Sequence, residues 1–274
     1  MWCVPELNEE YVSRMEDLLE LYERPHNSAE PVLCLDEKPV PLHAEVRPAS
    51  PAKPGREARR DSEYSRCGTA NIFCAVEPKA GRHFTYSTPN RSAAEFSKVI
   101  VDLALQYHTA RTIHLVLDDL NIHRRKSLTD LLGDQIGGEI WDRFTVHYTP
   151  VHGSWLNQAE IEIGILSRQC LGKRRIPDLK TLRRQVKAWN RRMNQGQTRI
   201  NWNFTRRKAA PSSVTKRSLP GGQSTSGALC RLWFVCGSAN TWPMAAECQK
   251  IEAIDREKVC TRRTTNFRCC RQMG

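Results

Sequence analysis

Apolar residues recur at helical spacing over residues 6–24, ELNEEYVSRMEDLLELYER, where Val12, Met15, Leu18, Leu19 and Tyr22 line one side and acids fill the rest. Pro25 stops that run. The pattern then changes period. PVLCLDEKPV at 31–40 is a short β-type run ending at Pro39, and the polar, Pro- and Arg-rich stretch 41–63 predicts a long loop. ANIFCAVE at 70–77 and RHFTYST at 82–88 predict two strands joined by the turn PKAG. SAAEFSKVIVDLALQY at 92–107 predicts a helix with Phe96, Val99, Ile100, Leu103 and Leu105 on its apolar side. TIHLVLD at 112–118 is a continuous apolar run, as in a strand covered on both faces.

Residues 125–135 predict a helix and 143–149, RFTVHYT, a strand. SWLNQAEIEIGILSRQCL at 154–171 predicts one long helix with Ser154 as its N-cap and a stripe of Leu156, Ala159, Ile163, Leu166 and Cys170. A basic helix follows at about 179–194, LKTLRRQVKAWNRRMN. Strands separated by helices predict an α/β fold, a mixed sheet with crossover connections. The expected organisation is an N-terminal helix and linker at 1–28, a main domain at 29–208, and an irregular cysteine-rich tail at 209–274 that is poorly ordered.

Charge narrows the partners. Lys and Arg number 42 against 30 Asp and Glu, a formal charge of +12, which suits a polyanion such as nucleic acid. No apolar run approaches the length of about 18 residues that a membrane span requires. The 11 cysteines contain no CxxC pair, and Cys34 and Cys74 lie in strand-like runs. A reducing, cytoplasmic compartment is the expectation, with no disulfide framework. Cys230 and Cys236 have poor spacing for zinc. No GxSxG elbow accompanies His152 and Ser154, so a serine hydrolase is not expected.

Three acidic pairs sit beside elements that otherwise look like core: Asp36 with Glu37, Asp118 with Asp119, and Glu160 with Glu162. In open α/β sheets, sites form at the carboxyl ends of strands. Carboxylates gathered there repel one another and need a compensating cation, and oxygen ligands favour a hard one such as Mg²⁺. Helical geometry alone does not choose Glu160 over Glu162, because both flank the apolar stripe.

The segments PVLCLDEKP, EYSRCGTANIFCAVEP, LVLDDLNIH, HYTPVHGSWLNQAEIEIGILSRQCL and INWNFT occur in that order. Together they make the chain, from about Trp2 to Phe204, resemble bacterial insertion-sequence transposases of the DDE superfamily, in the six-thirty group related to mariner elements. The resemblance implies a ribonuclease-H-like fold and a triad of two aspartates and a glutamate that holds two Mg²⁺ or Mn²⁺ ions. Position by position, the triad falls on Asp36, Asp118 and Glu160. It implies cleavage and strand transfer of double-stranded DNA, in a homo-oligomer assembled on element ends, within the bacterial nucleoid.

This chain departs from the family pattern in two ways. Asp119 stands where the family usually has Asn. Family members also carry N-terminal helix-turn-helix domains, so a separate DNA-binding chain is a further expected partner. The rival reading is an inactive remnant that binds DNA or a partner transposase. Phosphate contacts are expected from Arg56, Arg59 and Arg60 in the long loop and from Lys180, Arg183, Arg184, Lys187, Arg191 and Arg192 on the basic helix. His123, five residues after Asp118, is placed either near the scissile phosphate or at a loop end.

Overall fold

Alternation within β1 (Val32–Glu45) sets the layers of the molecule. Its odd residues Leu33 and Leu35 share a face with Phe73 and Ala75 of β2 (Tyr64–Glu77), and that face is covered by α2 (Ala93–Gln106). The opposite face carries Val40, Leu42, Ile72 and Cys74 and is covered by α5 (Ala159–Leu166) and α6 (Leu179–Gly196). The structure, a computed structural model, describes residues 8–209. The expected cysteine-rich tail, with its readings of disorder and of zinc at Cys230 and Cys236, lies outside the described residues.

The sheet has five strands in the order β3-β2-β1-β4-β5. β1, β2 and β3 (Arg82–Thr88) form an antiparallel meander, and β4 (Ile113–Leu117) and β5 (Phe144–Tyr148) add parallel strands beside β1. This is the expected ribonuclease-H-like mixed sheet flanked by helices. The parallel strands require crossovers, which α2 and the pair α3 (Arg125–Leu132) and α4 (Asp134–Trp141) supply. The first helix, α1 (Glu9–Glu23), is capped by Asn8 and packs against β5. No helix among the described residues is long and apolar enough to cross a membrane.

Three sequence expectations change. β1 does not end at Pro39 but runs through Pro39 and Pro41 to Glu45. β4 pairs only with residues 32–34, so beyond Cys34 that side of β1 is a free edge. The N–H of His43 points to that side, toward the Ile176 carbonyl, and the odd-numbered prolines turn the same way. A missing N–H there costs no ladder bond. β2 extends correspondingly to Tyr64, with a bulge where Gly68 takes φ +90°. The predicted loop 41–63 therefore shrinks to a connection whose tip is drawn together by isolated bridges at Ser50–Arg59 and Lys53–Arg56.

The helix expected at 125–135 is two helices broken at Gly133, which sits at φ +84°. The helix expected at 154–171 is also interrupted. Ser154 opens a single 3₁₀ turn rather than capping a helix, and α5 starts only at Ala159. Asn157 causes the break: its side chain accepts from the Ala159 N–H at 3.1 Å and donates to the Leu35 carbonyl at 2.8 Å. A long-range tie to β1 thus overrides local helical preference. Residues Ser167–Leu171 then widen into a π turn before Gly172.

Candidate active site

The strand register brings two of the expected acids side by side. β1 and β4 pair in parallel with Val32 opposite His114 and Cys34 opposite Val116. Continued by two residues, that register sets Asp118, just past the end of β4, beside Asp36. Adjacent strands lie about 4.8 Å apart. α5 packs on the same face of β1, and Asn157 pins the start of that helix to Leu35, one residue from Asp36. Tyr22 of α1 donates a second tie to the Leu156 carbonyl at 2.8 Å. Glu160, in the first turn of α5, is consequently held over the Asp36 end of the pair.

The Asp36 carboxyl records this convergence. Burial pushes it up to about 7, against the lowering effect of the Glu37 N–H that it accepts at 2.7 Å, and the charges of Glu37, Asp118 and Glu160 raise it further. Three acids far apart in sequence therefore share one electrostatic environment. No cation pairs with Asp36 or Glu160 among the described residues.

Each acidic pair is split between two tasks. Asp36 faces the α5 side of β1, whereas Glu37 points into the α2 side, 3.3 Å from Arg91 and 3.4 Å from His123 Nε2. Asp119 turns away from the site into ion pairs with Arg14, at 3.0 Å, and Arg124. The extra carboxylate next to Asp118 is thus charge-compensated outside the cluster. Glu162 is fully buried and contacts His83 Nδ1 at 2.8 Å, while His83 Nε2 bonds the Thr198 carbonyl at 2.9 Å. Glu160 is exposed. Asp36 and Glu160 are the acids of their pairs without a cationic partner, and Asp118 is held by His123; the oxygens of these three do not all lie within 4.8 Å of one another.

His123 is fully buried within the loop between β4 and α3, against Asp118. Its Nδ1 lies 2.6 Å from Asp118 Oδ1 and 3.1 Å from the Asp118 carbonyl, and its ring packs on Phe96 at 4.7 Å. Burial lowers the His123 pKa, but the carboxylates of Asp118 and Glu37 outweigh it and hold the imidazole at about 9. Among the described residues, Glu37, Asp118 and His123 are the three potential ligands whose donor atoms lie within 4.8 Å of one another. Both His123 nitrogens already face carboxylates, so we read that group as an ion-paired support and not as a metal cage. Sequence reading missed the supporting residues Arg91, His83, Arg14 and Asn157. Each is an ordinary surface-type residue whose partner is distant in the chain.

The chemistry of the donor set fits a hard divalent cation. Asp36 and Glu160 offer oxygen ligands with no compensating cation, and Asp118 adds a third carboxylate whose charge acts on Asp36. The basic candidates lie at the surface. Lys180, Arg184, Lys187 and Arg191 of α6 are exposed opposite the buried stripe Leu182, Val186, Trp189 and Met193. Arg183 is exposed but binds the Ser87 carbonyl at 3.1 Å, and Arg192 reaches Gln169. Arg56 and Arg59 are exposed at the tip between β1 and β2. Arg60 is engaged internally with Glu45 at 2.8 Å and the Lys173 carbonyl at 2.7 Å.

Comparison with known proteins gives one family. The family model described as DDE superfamily endonuclease matches residues 31–183. Among curated proteins none matches the sequence. Solved structures similar to this chain include the Mos1 mariner paired-end complex with Mn, at 15% identity and a TM-score of 0.46, covering 72% of this chain and 62% of that one. The Mos1 paired-end complex with Mg is similar at 17% identity and a TM-score of 0.45, covering 72% of this chain and 59% of that one. The Mos1 strand transfer complex follows at 18% identity and a TM-score of 0.42, covering 72% and 60%. The chain thus spans about three fifths of the length of the solved chains it matches.

Proposed function

We propose, on the premise that this chain belongs to the DDE superfamily of endonucleases, that it is a transposase catalytic domain that cuts DNA phosphodiesters and joins the freed ends to target DNA. The observation that supports the reading is the split of the three acidic pairs: Asp36 and Glu160 keep no cationic partner, Asp118 beside them is held by His123, and the neighbouring acids are committed to Arg91, Arg14, Arg124 and His83.

In this reading the three site carboxylates hold two Mg²⁺ or Mn²⁺ ions. When bound, such ions activate a water or a 3′-hydroxyl and stabilise the leaving oxygen of a phosphodiester. The protein's part is placement. The β1–β4 register aims Asp36 and Asp118 at the same rim of the sheet. Asn157 and Tyr22 anchor the approach to α5 and set the height of Glu160. The ion pairs of Asp119 keep a fourth charge out of the cluster, so its presence is no obstacle to activity. The substrate is double-stranded DNA, and the exposed cations of α6 and of the β1–β2 tip supply phosphate contacts without sequence readout. A homo-oligomer on DNA, aided by a separate DNA-binding segment or chain, completes the proposal.

Mg²⁺-dependent nicking of supercoiled DNA tests it. Asp36→Asn, Asp118→Asn and Glu160→Gln should each lower the rate by at least about a hundredfold, while Asp119→Asn should stay within a few-fold of wild type. Equal nicking by wild type and Asp118→Asn would exclude the assigned role.

A further inference from the structure

The acids left out of the triad have partners, and one such set reaches back into the site. His123 is 0% exposed and stands between two carboxylates, Glu37 of β1 and Asp118 just past the end of β4. Its Nδ1 donates to the Asp118 main-chain carbonyl at 3.1 Å and lies 2.6 Å from Asp118 Oδ1. Its Nε2 lies 3.4 Å from Glu37 Oε2. Glu37 is in turn held by Arg91 at 3.3 Å. The imidazole packs on Phe96, and the Tyr148 hydroxyl holds the His123 backbone by donating to its carbonyl at 2.7 Å.

We infer that His123 is a positioning residue for Asp118: its Nδ1–H bonds the carbonyl of that aspartate and lies within ion-pair reach of its carboxylate, with the Glu37–Arg91 pair flanking the imidazole on the α2 face. Asp118 needs such a grip because it lies one residue beyond β4, where the ladder no longer fixes the backbone. A carboxylate with one oxygen held presents the other in a set direction, and supports of this kind typically change metal affinity 10–100-fold. β1 thereby serves both faces of the sheet at once: Asp36 enters the site directly, and Glu37 enters it through His123. The other supporting pair, His83 with Glu162, lies under α5 and is linked to the Thr198 carbonyl, so it steadies the helix rather than a ligand.

The inference rests on Asp118 being an ion ligand, and its test separates the two ideas. An asparagine amide replaces the Nδ1 side of imidazole, and a glutamine amide replaces the Nε2 side. Mn²⁺ affinity is measured by calorimetry on the full chain, with folding checked by thermal melting. Relative to wild type, His123→Asn should bind Mn²⁺ within about threefold, and His123→Gln should bind at least about tenfold more weakly.

Equal affinities for the two variants overturn the positioning role, provided that Asp118→Asn has lost the ion. An Asp118→Asn protein that binds Mn²⁺ like wild type overturns the ligand assignment itself. A wild-type measurement covers the case in which a variant fails to fold. On Mg²⁺ titration, the ¹⁵N resonance of His123 Nδ1 should move more than that of Nε2. An unmoved Nδ1 signal overturns the inference.

Discussion

At the scale of single residues, the site stores electrostatic tension that metal-free protein must bear. Asp36 has a folded pKa of about 7 against about 3.9 for an unfolded aspartate. The folded state therefore holds the extra proton between those values, and stability falls as pH rises from about 4 to 7. His123 has a folded pKa of about 9 against about 6.5 unfolded. Its contribution is complete below about pH 6.5 and is lost as pH rises through 9. Both groups act in the same direction. Denaturant melts of metal-free protein should show stability declining across pH 4–9, and Asp36→Asn should flatten the pH 4–7 portion while leaving the upper portion in place. A slope unchanged by Asp36→Asn would contradict the environment assigned to that carboxyl.

At the scale of elements, α5 shows how one short helix divides its labour. Glu160 and Glu162 lie two residues apart, so they point in different directions from the axis. Glu162 enters the core with His83, and Glu160 stays at the rim. Glu162→Ala leaves a buried His83 nitrogen without its partner and should cost about 1–3 kcal/mol of stability. Glu160→Ala should change stability by less than about 0.5 kcal/mol yet abolish nicking. Urea denaturation and the nicking assay, run on both variants, give the opposite orderings that this division requires. The acids and the helix period were both readable in the sequence. The choice between Glu160 and Glu162 was not, because His83 lies 79 residues away and its approach is set by β3.

At the scale of the whole molecule, the site acids and the exposed cations of the described residues lie on different elements. Acids cluster at the site, while Lys180, Arg184, Lys187 and Arg191 line the outer side of α6. Non-specific DNA affinity should fall steeply with salt, and a double variant Lys187→Ala/Arg191→Ala should reduce the slope of log K against log salt by about 2 if both contact phosphates. Fluorescence anisotropy over a salt series reads this, and an unchanged slope would remove α6 from the DNA path. Arg60 is a poorer candidate than its neighbours Arg56 and Arg59, because its guanidinium is bound to Glu45 and the Lys173 carbonyl.

Sequence alone determined the local and statistical properties of this protein. The alternation of β1 and the stripes of α2 and α6 follow from periodicities of two and 3.6 residues, and the apolar run of β4 and the three acidic pairs stand in the sequence itself, so none needs a tertiary partner to be visible. Tertiary structure decided what depends on contacts between distant segments. Pro39 and Pro41 lie within a strand because β4 stops short and leaves an edge beside them. The helix expected from Ser154 breaks at Asn157 because that amide bonds to Leu35, 122 residues earlier. Asp118, and not Asp119, comes beside Asp36 because the β1–β4 register aligns it there, and Asp119 pairs instead with Arg14 and Arg124. Neighbouring acids are chemically equivalent in an unfolded chain, and only the placement of fixed charges around them in the folded one makes them differ.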